Sequence, residues 1–280
     1  QRRRNNPAFH QQADISRRGQ AVGIRPESLK ERLRTYAAEL HVHTVLSPCA
    51  EVEMIPPLIV QEALDKGIDL IAITDHNASA NVGAVQAAAA GTPLAVLAGM
   101  ELQTREEVHL LCLFDTLEQV SAWQTLVDVR LPQQENNIEF FGEQFVVDET
   151  GEFIRREPRL LLTSANLSLE EAAHAVVQLG GIAIPAHVDR KAFSLIANLG
   201  FVPTDAPVVA LEISRHLDPA QARQKFPQIR QFPLVRGGDV HRLDEFLGAN
   251  LFTLAAPTVS ELAKAFLNEA GRSLVVRPLA

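Results

Sequence analysis

The sequence predicts an α/β fold, either an α/β barrel or a doubly wound sheet, and three observations carry that expectation. Short apolar runs alternate with helical segments from Ala37 to the end of the 280-residue chain. Several of those runs, such as Asp69–Thr74, are rich in Ile and continuous in hydrophobicity, the pattern of a parallel strand buried on both faces. The helical segments carry start and stop signals, so each element has defined ends.

Taken in order, residues 1–36 read as a basic arm. Eight arginines and Lys30 face only Asp14, Glu27 and Glu31, a net +6, against −14 for the remainder of a chain whose total is −8. The arm reads either as a contact for nucleic acid or as a solvated extension. Only Glu27–Tyr36 looks helical there, with Pro26 suited to a first turn. The barrel or sheet then occupies residues 37–280. Ala37–Thr44 ends in His41-Val42-His43. Leu58–Lys66 has helical spacing, starts behind Pro56-Pro57 and stops at Gly67. Asp69–Thr74 follows as a strand, Asn81–Ala90 as an alanine-rich helix, and Leu94–Leu102 and Val108–Phe114 as strands.

Between residues 131 and 167 the alternation lapses into a polar insertion that either covers the active face as a lid or decorates the surface. Within it, Val146–Ile154 suits a hairpin turning at Thr150-Gly151. Ser168-Leu-Glu-Glu171 is a capping box that opens a helix closing at Gly180-Gly181. Strands at Ile182–Pro185, Val208–Ile213 and Pro233–Arg236 and a helix at Val259–Glu269 complete the chain.

Composition removes several classes. With 46% apolar and 21% charged residues, the chain is neither disordered nor collagenous. Two cysteines, Cys49 and Cys112, cannot form a disulfide framework, and no secretory signal opens the sequence; a reducing, cytoplasmic setting is expected. The first residue is Gln, as expected of a trimmed product or a fragment. No apolar run is long enough to span a membrane, so no membrane partner is expected. No GxGxxG or GxxxxGK[ST] pattern supports a nucleotide-cradling fold. The acidic body does not draw anions by its overall field, so an anionic substrate has to be held by local arginines or metal ions.

The chemistry gathers at strand ends. His41 and His43 alternate along one strand, which places both rings on one face, close enough for one metal. Asp75-His76-Asn77 follows the next strand, Glu101 closes another, His109 begins the one after, and His187, Asp239 and His241 follow later strands. In a barrel those ends converge, giving eight nitrogen or oxygen donors aimed at one pocket. Each motif alone has a plain structural reading: a strand-end hydrogen bond, a turn, a helix cap. Their repetition favours a metal centre. His174, inside the capped helix, is read as structural, and His10 and His216 are left outside the site.

The ordered set ELHVHT, AITDHN, GMELQTREEVH, IPAHVDR and GGDVH, spanning about residues 37–250, resembles the polymerase and histidinol phosphatase (PHP) family, most nearly a subgroup of metal-dependent phosphoesterases with an SPC-type loop, here LSPCAEVEM. The resemblance implies a distorted (β/α)₇ TIM-like barrel with up to three divalent ions of the zinc, manganese or iron kind. It implies a first ion on His41, His43, Glu101 and Asp239, with Glu101 bridging to a second on His109 and His187. His76 and His241 are then left for a third. Where the family places an Asp or His after the HxH motif, this sequence has Pro48-Cys49, so Cys49, Glu51 or Glu53 is left to complete the third site; a thiolate there favours zinc. Glu39 stands where the family has Asp and is expected to support the ligands.

The expected activity is metal-dependent hydrolysis of a phosphate ester: a phosphomonoester of a small metabolite, a nucleotide or an oligonucleotide end. Asp239, Glu101 and His241 are the expected catalytic groups, and Arg190, Arg215 and Arg242 the expected grips on phosphate. Two alternatives stand beside it. An amidohydrolase-type barrel also opens with HxH but commonly uses a strand-end lysine, and none of the five lysines is so placed. A regulatory PHP module would bind metal without turnover. Aromatic residues are 5% of the chain, poor support for an extended base-stacking platform, and the sequence leaves the oligomeric state open.

Overall fold

The structure, a computed structural model, describes residues 32–279. Elements in chain order are β1 (Arg34–Val42), α1 (Pro56–Asp65), β2 (Leu70–Ile73), α2 (Val82–Ala88), β3 (Ala95–Gln103), β4 (His109–Phe114), α3 (Leu117–Asp128) and α4 (Ile138–Phe141). They continue with β5 (Phe145–Val147), β6 (Phe153–Arg156), α5 (Leu169–Gln178), β7 (Ile182–Pro185), α6 (Leu195–Leu199), β8 (Leu211–Ile213) and α7 (Pro219–Lys225). The last are β9 (Leu234–Arg236), β10 (Asn250–Leu254), α8 (Val259–Phe266) and β11 (Ser273–Val276). Most of the basic arm lies outside the described residues. Its expected helix is corrected where it can be seen, because Arg34, Thr35 and Tyr36 pair with Leu254, Thr253 and Phe252 as strand.

Seven strands form one curled sheet in the order β11-β10-β1-β2-β3-β4-β7, and β8 and β9 form a parallel pair. Bridges between Ala183 and Val208 and between Val42 and Val240 join that pair to β7 on one side and β1 on the other. The wall therefore runs β1-β2-β3-β4-β7-β8-β9 and returns to β1, a distorted seven-stranded barrel. The doubly wound alternative is excluded by that closure. The wall is not all-parallel: β3–β4 and β4–β7 pair antiparallel. The reason is local, since Thr104–Val108 is too short for a parallel crossover.

β1 is shared. Its first half pairs with β10, while past Ala38 it turns to β9. Side chains bridge the fork: Asn250 accepts from Arg236 N and donates to Arg236 O (both 2.9 Å), and Glu39 accepts from Gly238 N at 2.9 Å and Leu247 N at 3.1 Å. Alternation along the strands sorts two cores. Leu40, Ala72, Ile184 and Val235 meet α8 on one face; Ile71, Ile73 and Met100 lie in the cluster under the outer helices. Truncating such a fully buried side chain, Leu40→Ala for example, costs about 2–5 kcal/mol.

Beyond the arm, the start signals read at Pro56 and Ser168 hold. α1 starts at Pro56, and α5 has both halves of the Ser168–Glu171 capping box. The Phe145–Arg156 hairpin forms, with Gly151 at φ +87° in its turn. A helix the sequence reading passes over, α3, carries the same signature in Thr116 and Gln119.

Candidate metal centre

The loops that leave one end of the barrel deliver the eight donors. β1 carries His41 within a register shift between Glu39 and Val42, and His43 follows the strand's end. β3 runs far enough to present Glu101, and its antiparallel partner β4 begins at that same end, which is why His109 opens a strand rather than closing one. His187 follows β7, and Asp239 and His241 follow β9. The turns are strained: Asn77, His187, Phe193 and Asp239 have φ of +48°, +29°, +54° and +46°, an arrangement that clusters at functional sites.

Glu101 is the hub. Its Oε1 lies 2.8 Å from His109 Nδ1, 3.2 Å from His41 Nε2 and 3.2 Å from His187 Nε2. Its Oε2 lies 2.9 Å from His76 Nδ1 and 3.4 Å from His43 Nε2. Asp239 Oδ1 stands 3.3 Å from His41 Nε2 and 3.4 Å from His43 Nε2, and those two nitrogens are 3.1 Å apart. His241 stacks on His43 at 4.0 Å between ring centroids. Three overlapping triads each bring their donor atoms within 4.8 Å of one another: His41–His43–Glu101, His76–Glu101–His109 and His43–His76–His241.

Residues that the sequence reading gave no role aim these rings. Glu212 accepts from His41 Nδ1 at 3.0 and 3.2 Å and from His187 N at 3.0 Å. With Nδ1 committed to Glu212, Nε2 is the His41 nitrogen turned toward Glu101. Gly237 makes room for it, because a Cβ there would sit 2.3 Å from the Glu212 carboxylate. Ser47 donates to Asp75 at 2.7 Å, so its oxygen receives His43 Nδ1 at 2.9 Å. Asp75 also accepts from Thr44 N and Oγ1, both at 2.7 Å, and caps no helix. Asn77 ties the end of the insertion to the site, donating to Leu161 O and Thr163 O at 2.7 Å. One signal for Glu212 was present: a lone acid in the apolar strand Val208–Ile213.

Burial opposes ionisation of Glu101, but the imidazoles around it, His109 foremost, hold its carboxyl well below the usual carboxylate range. Burial likewise opposes the Asp239 charge, and His41 and His43 outweigh it. His41 and His76 resist burial and stay protonated well above the ordinary histidine range, His41 through Glu212 and Glu101, His76 through Glu101 and Cys49. Burial and the neighbouring His241 and His76 push His43 the other way. Buried atoms remain without a hydrogen-bond partner: Glu101 Oε2, His109 Nε2 and His187 Nδ1. Anionic carboxylates, inward-facing ring nitrogens and orphaned polar atoms fit divalent cations, which supply the positive charge otherwise carried by protons.

The cluster floors a cavity of about 380 Å³. Arg190 lines it and pairs with Asp239 Oδ2. Arg215 and Arg242 do not line it. Arg215 donates to Gly238 O and Glu245 O, and Arg242 pairs with Glu51 at 2.9 Å on the surface. Of the three candidates for the third site, Cys49 is the one in the cavity wall, its Sγ 3.1 Å from His241 Nε2, while Glu51 and Glu53 are exposed. Burial alone would raise the Cys49 thiol, but His76 and His241 bring it down to about 6. His174 donates to Asp205 O at 3.0 Å on α5, away from the cavity, and His216 is exposed; His10 lies outside the described residues. Among the described residues no lysine lines the cavity, and no helix is long and apolar enough to cross a membrane.

Comparison with known proteins agrees with this architecture. The lesion-specific endonuclease PfuEndoQ from Pyrococcus furiosus aligns with a TM-score of 0.62 at 21% identity; the alignment covers 86% of this chain and 58% of that one. This chain thus spans little more than half the length of that endonuclease. A putative metal-dependent phosphoesterase from Bifidobacterium adolescentis aligns at 0.50 and 18% identity, over 73% of this chain and 87% of the other. An amidohydrolase from Chromobacterium violaceum with bound sulfate aligns at 0.52 and 18% identity, over 86% and 98%. These likenesses establish the fold. Among curated proteins, none matches the sequence. The sequence itself matches the PHP domain over residues 39–184, more than half of the chain and five of the eight clustered donors. On that match, on the barrel and on the donors gathered at its open end, the protein belongs to the PHP domain family.

Proposed function

We propose that the protein hydrolyses phosphate esters, with two or three divalent ions of the zinc, manganese or iron kind held in the cavity. The single observation that carries this reading is Glu101, one buried carboxylate with five histidine nitrogens within 3.4 Å. Such ions, when bound, acidify a water and neutralise phosphoryl oxygens.

In this reading His41, His43, Glu101 and Asp239 hold one ion, and Glu101, His109 and His187 a second. His76, His241 and Cys49 hold a third, with the thiolate favouring zinc. Asp239, Glu101 and His241 line the cavity and are the catalytic residues. Glu212 and Ser47 keep the His41 and His43 Nε2 atoms free to bind. Arg190 has further N–H groups beyond the one on Asp239, placed to bind a phosphate oxygen. Arg215 instead holds the turn that carries Asp239.

The substrate class is a phosphomonoester of a small metabolite, a nucleotide or a nucleic-acid end. The fold is shared with Endonuclease Q, whose complex holds a duplex with an abasic lesion at the active site, which keeps nucleic acid in the class. An amidohydrolase reading lacks the bridging lysine among the described residues. Assay of purified protein on p-nitrophenyl phosphate with and without Mn²⁺ tests the proposal. Metal-dependent phosphate release supports it; no release from fully metal-loaded protein leaves the non-catalytic module.

A further inference from the structure

The floor of the cavity is polar, but part of its wall is not. Phe193, Phe141 and Leu162 line it, the last two from the insertion. Phe193 is the unusual one. Its φ of +54° is a conformation that bulky side chains avoid and glycine adopts freely. The segment around it is pinned on each side. Phe193 O accepts from His109 N at 3.2 Å, Ser194 Oγ donates to Arg190 O at 2.7 Å, and Asp189 accepts from Ser214 N and Oγ at 2.7 and 2.6 Å. Held this way, the ring stacks on His109 at 5.1 Å and 23° yet stays 43% exposed.

A large apolar ring kept in a strained backbone, exposed and beside the candidate metal ligands, is explained by contact with a ligand. Folding alone would favour glycine there. Phe141 stands in the same wall, and Phe140, 78% exposed, packs edge-on against it at 4.7 Å. The cavity volume of about 380 Å³ accommodates a phosphate with one further ring-bearing group.

We propose that Phe193 is a specificity-determining residue, selecting phosphate esters that carry a flat unsaturated ring over open-chain or sugar esters by stacking that ring in the cavity wall. This rests on the phosphoesterase reading for the position of the phosphate, but not for its test. The probes are the non-hydrolysable 5′-methylenephosphonates of adenosine and of ribose, which share a phosphonate and a sugar and differ by the base. Calorimetric titration into metal-loaded protein should show the adenosine compound binding on the order of tenfold more tightly, the value of one stacked base.

Phe193→Gly suits the backbone and should bring the two affinities within about threefold, while Phe193→Tyr keeps the preference. A thermal melt checks that both variants are folded. Equal affinities in the unchanged protein, or a preference that survives Phe193→Gly, would overturn the proposal. Turnover of p-nitrophenyl phosphate, measured on the same samples, reports separately on the phosphoesterase reading. A protein that prefers the adenosine ligand but releases no phosphate keeps this inference and loses the other.

Discussion

Glu101 and Glu261 are both buried carboxylates surrounded by basic groups, and they differ in how their surroundings are completed. Glu261, on α8, accepts from Arg272 Nε at 2.8 Å and Nη2 at 3.1 Å, from Lys264 Nζ at 2.8 Å and from Ala255 N at 2.8 Å. Its side-chain partners are an arginine and a lysine, charged at neutral pH, and Arg272 first among them draws its pKa down to about 2. Glu101 is ringed by imidazoles, which carry charge only conditionally, and its Oε2 has no well-aligned hydrogen bond. Backbone strain gathers around Glu101, at Asn77, His187 and Asp239. The first network closes on itself and serves the fold. The second draws its balancing charge from imidazoles, which can give up their protons to divalent cations, as the proposed function requires.

The largest expected effect separates the two networks by activity. Asp239→Asn and His43→Ala should each lower phosphate release by on the order of 10²-fold or more while the protein stays folded, because each removes a donor next to Glu101. His174→Ala should leave turnover nearly intact, its one bond being to Asp205 O. Comparable losses in His174→Ala would erase the distinction between site and scaffold.

Stability gives the converse. Glu261→Gln removes the charged acceptor shared by Arg272, Lys264 and Ala255 N and should cost about 1–3 kcal/mol in denaturant unfolding, with metal content unchanged. Because Glu261 is depressed in the folded protein, its contribution is present above the unfolded carboxylate pKa of roughly 4.3 and is lost as pH falls toward 2. A fall in bound metal with Glu261→Gln would tie together networks the account keeps apart.

Two smaller effects sharpen the picture of the metal end. Glu212→Gln should weaken metal binding by about 10–100-fold, since the His41 ring loses its anionic acceptor. Cys49→Ser should lower metal content, and bound metal should protect Cys49 from iodoacetamide while buried Cys112 stays unreactive throughout. Equal alkylation of Cys49 in metal-loaded and metal-free protein would remove it from the ligand set. The smallest effect is expected for Arg242→Ala, whose exposed pair with Glu51 contributes at most about 1 kcal/mol.

The same contrast explains what could be read from the sequence. The gathering of His41, His43, Glu101 and Asp239 was legible because a barrel sends strand ends to one face. Helices with paired caps were legible for a similar reason, since Ser168 and Glu171 act within one turn. What stayed hidden depends on contacts between distant segments. Glu212 meets His41 across 171 residues, and Arg215 is drawn to Gly238 O by a turn whose shape spacing does not reveal. The antiparallel β4 was hidden in another way: an Ile- or Leu-rich run has the same pattern whichever direction it pairs. Phe193 carries no motif, and its importance lies in a backbone angle.

The measurement that bears most directly on the account is the metal stoichiometry of purified protein, with His43→Ala and Glu261→Gln alongside. Elemental analysis after mild purification or reconstitution should find two or three divalent ions per chain, fewer in His43→Ala and no change in Glu261→Gln. Less than about one equivalent, with no rise on reconstitution, would contradict the reading of the Glu101 cluster as a metal centre.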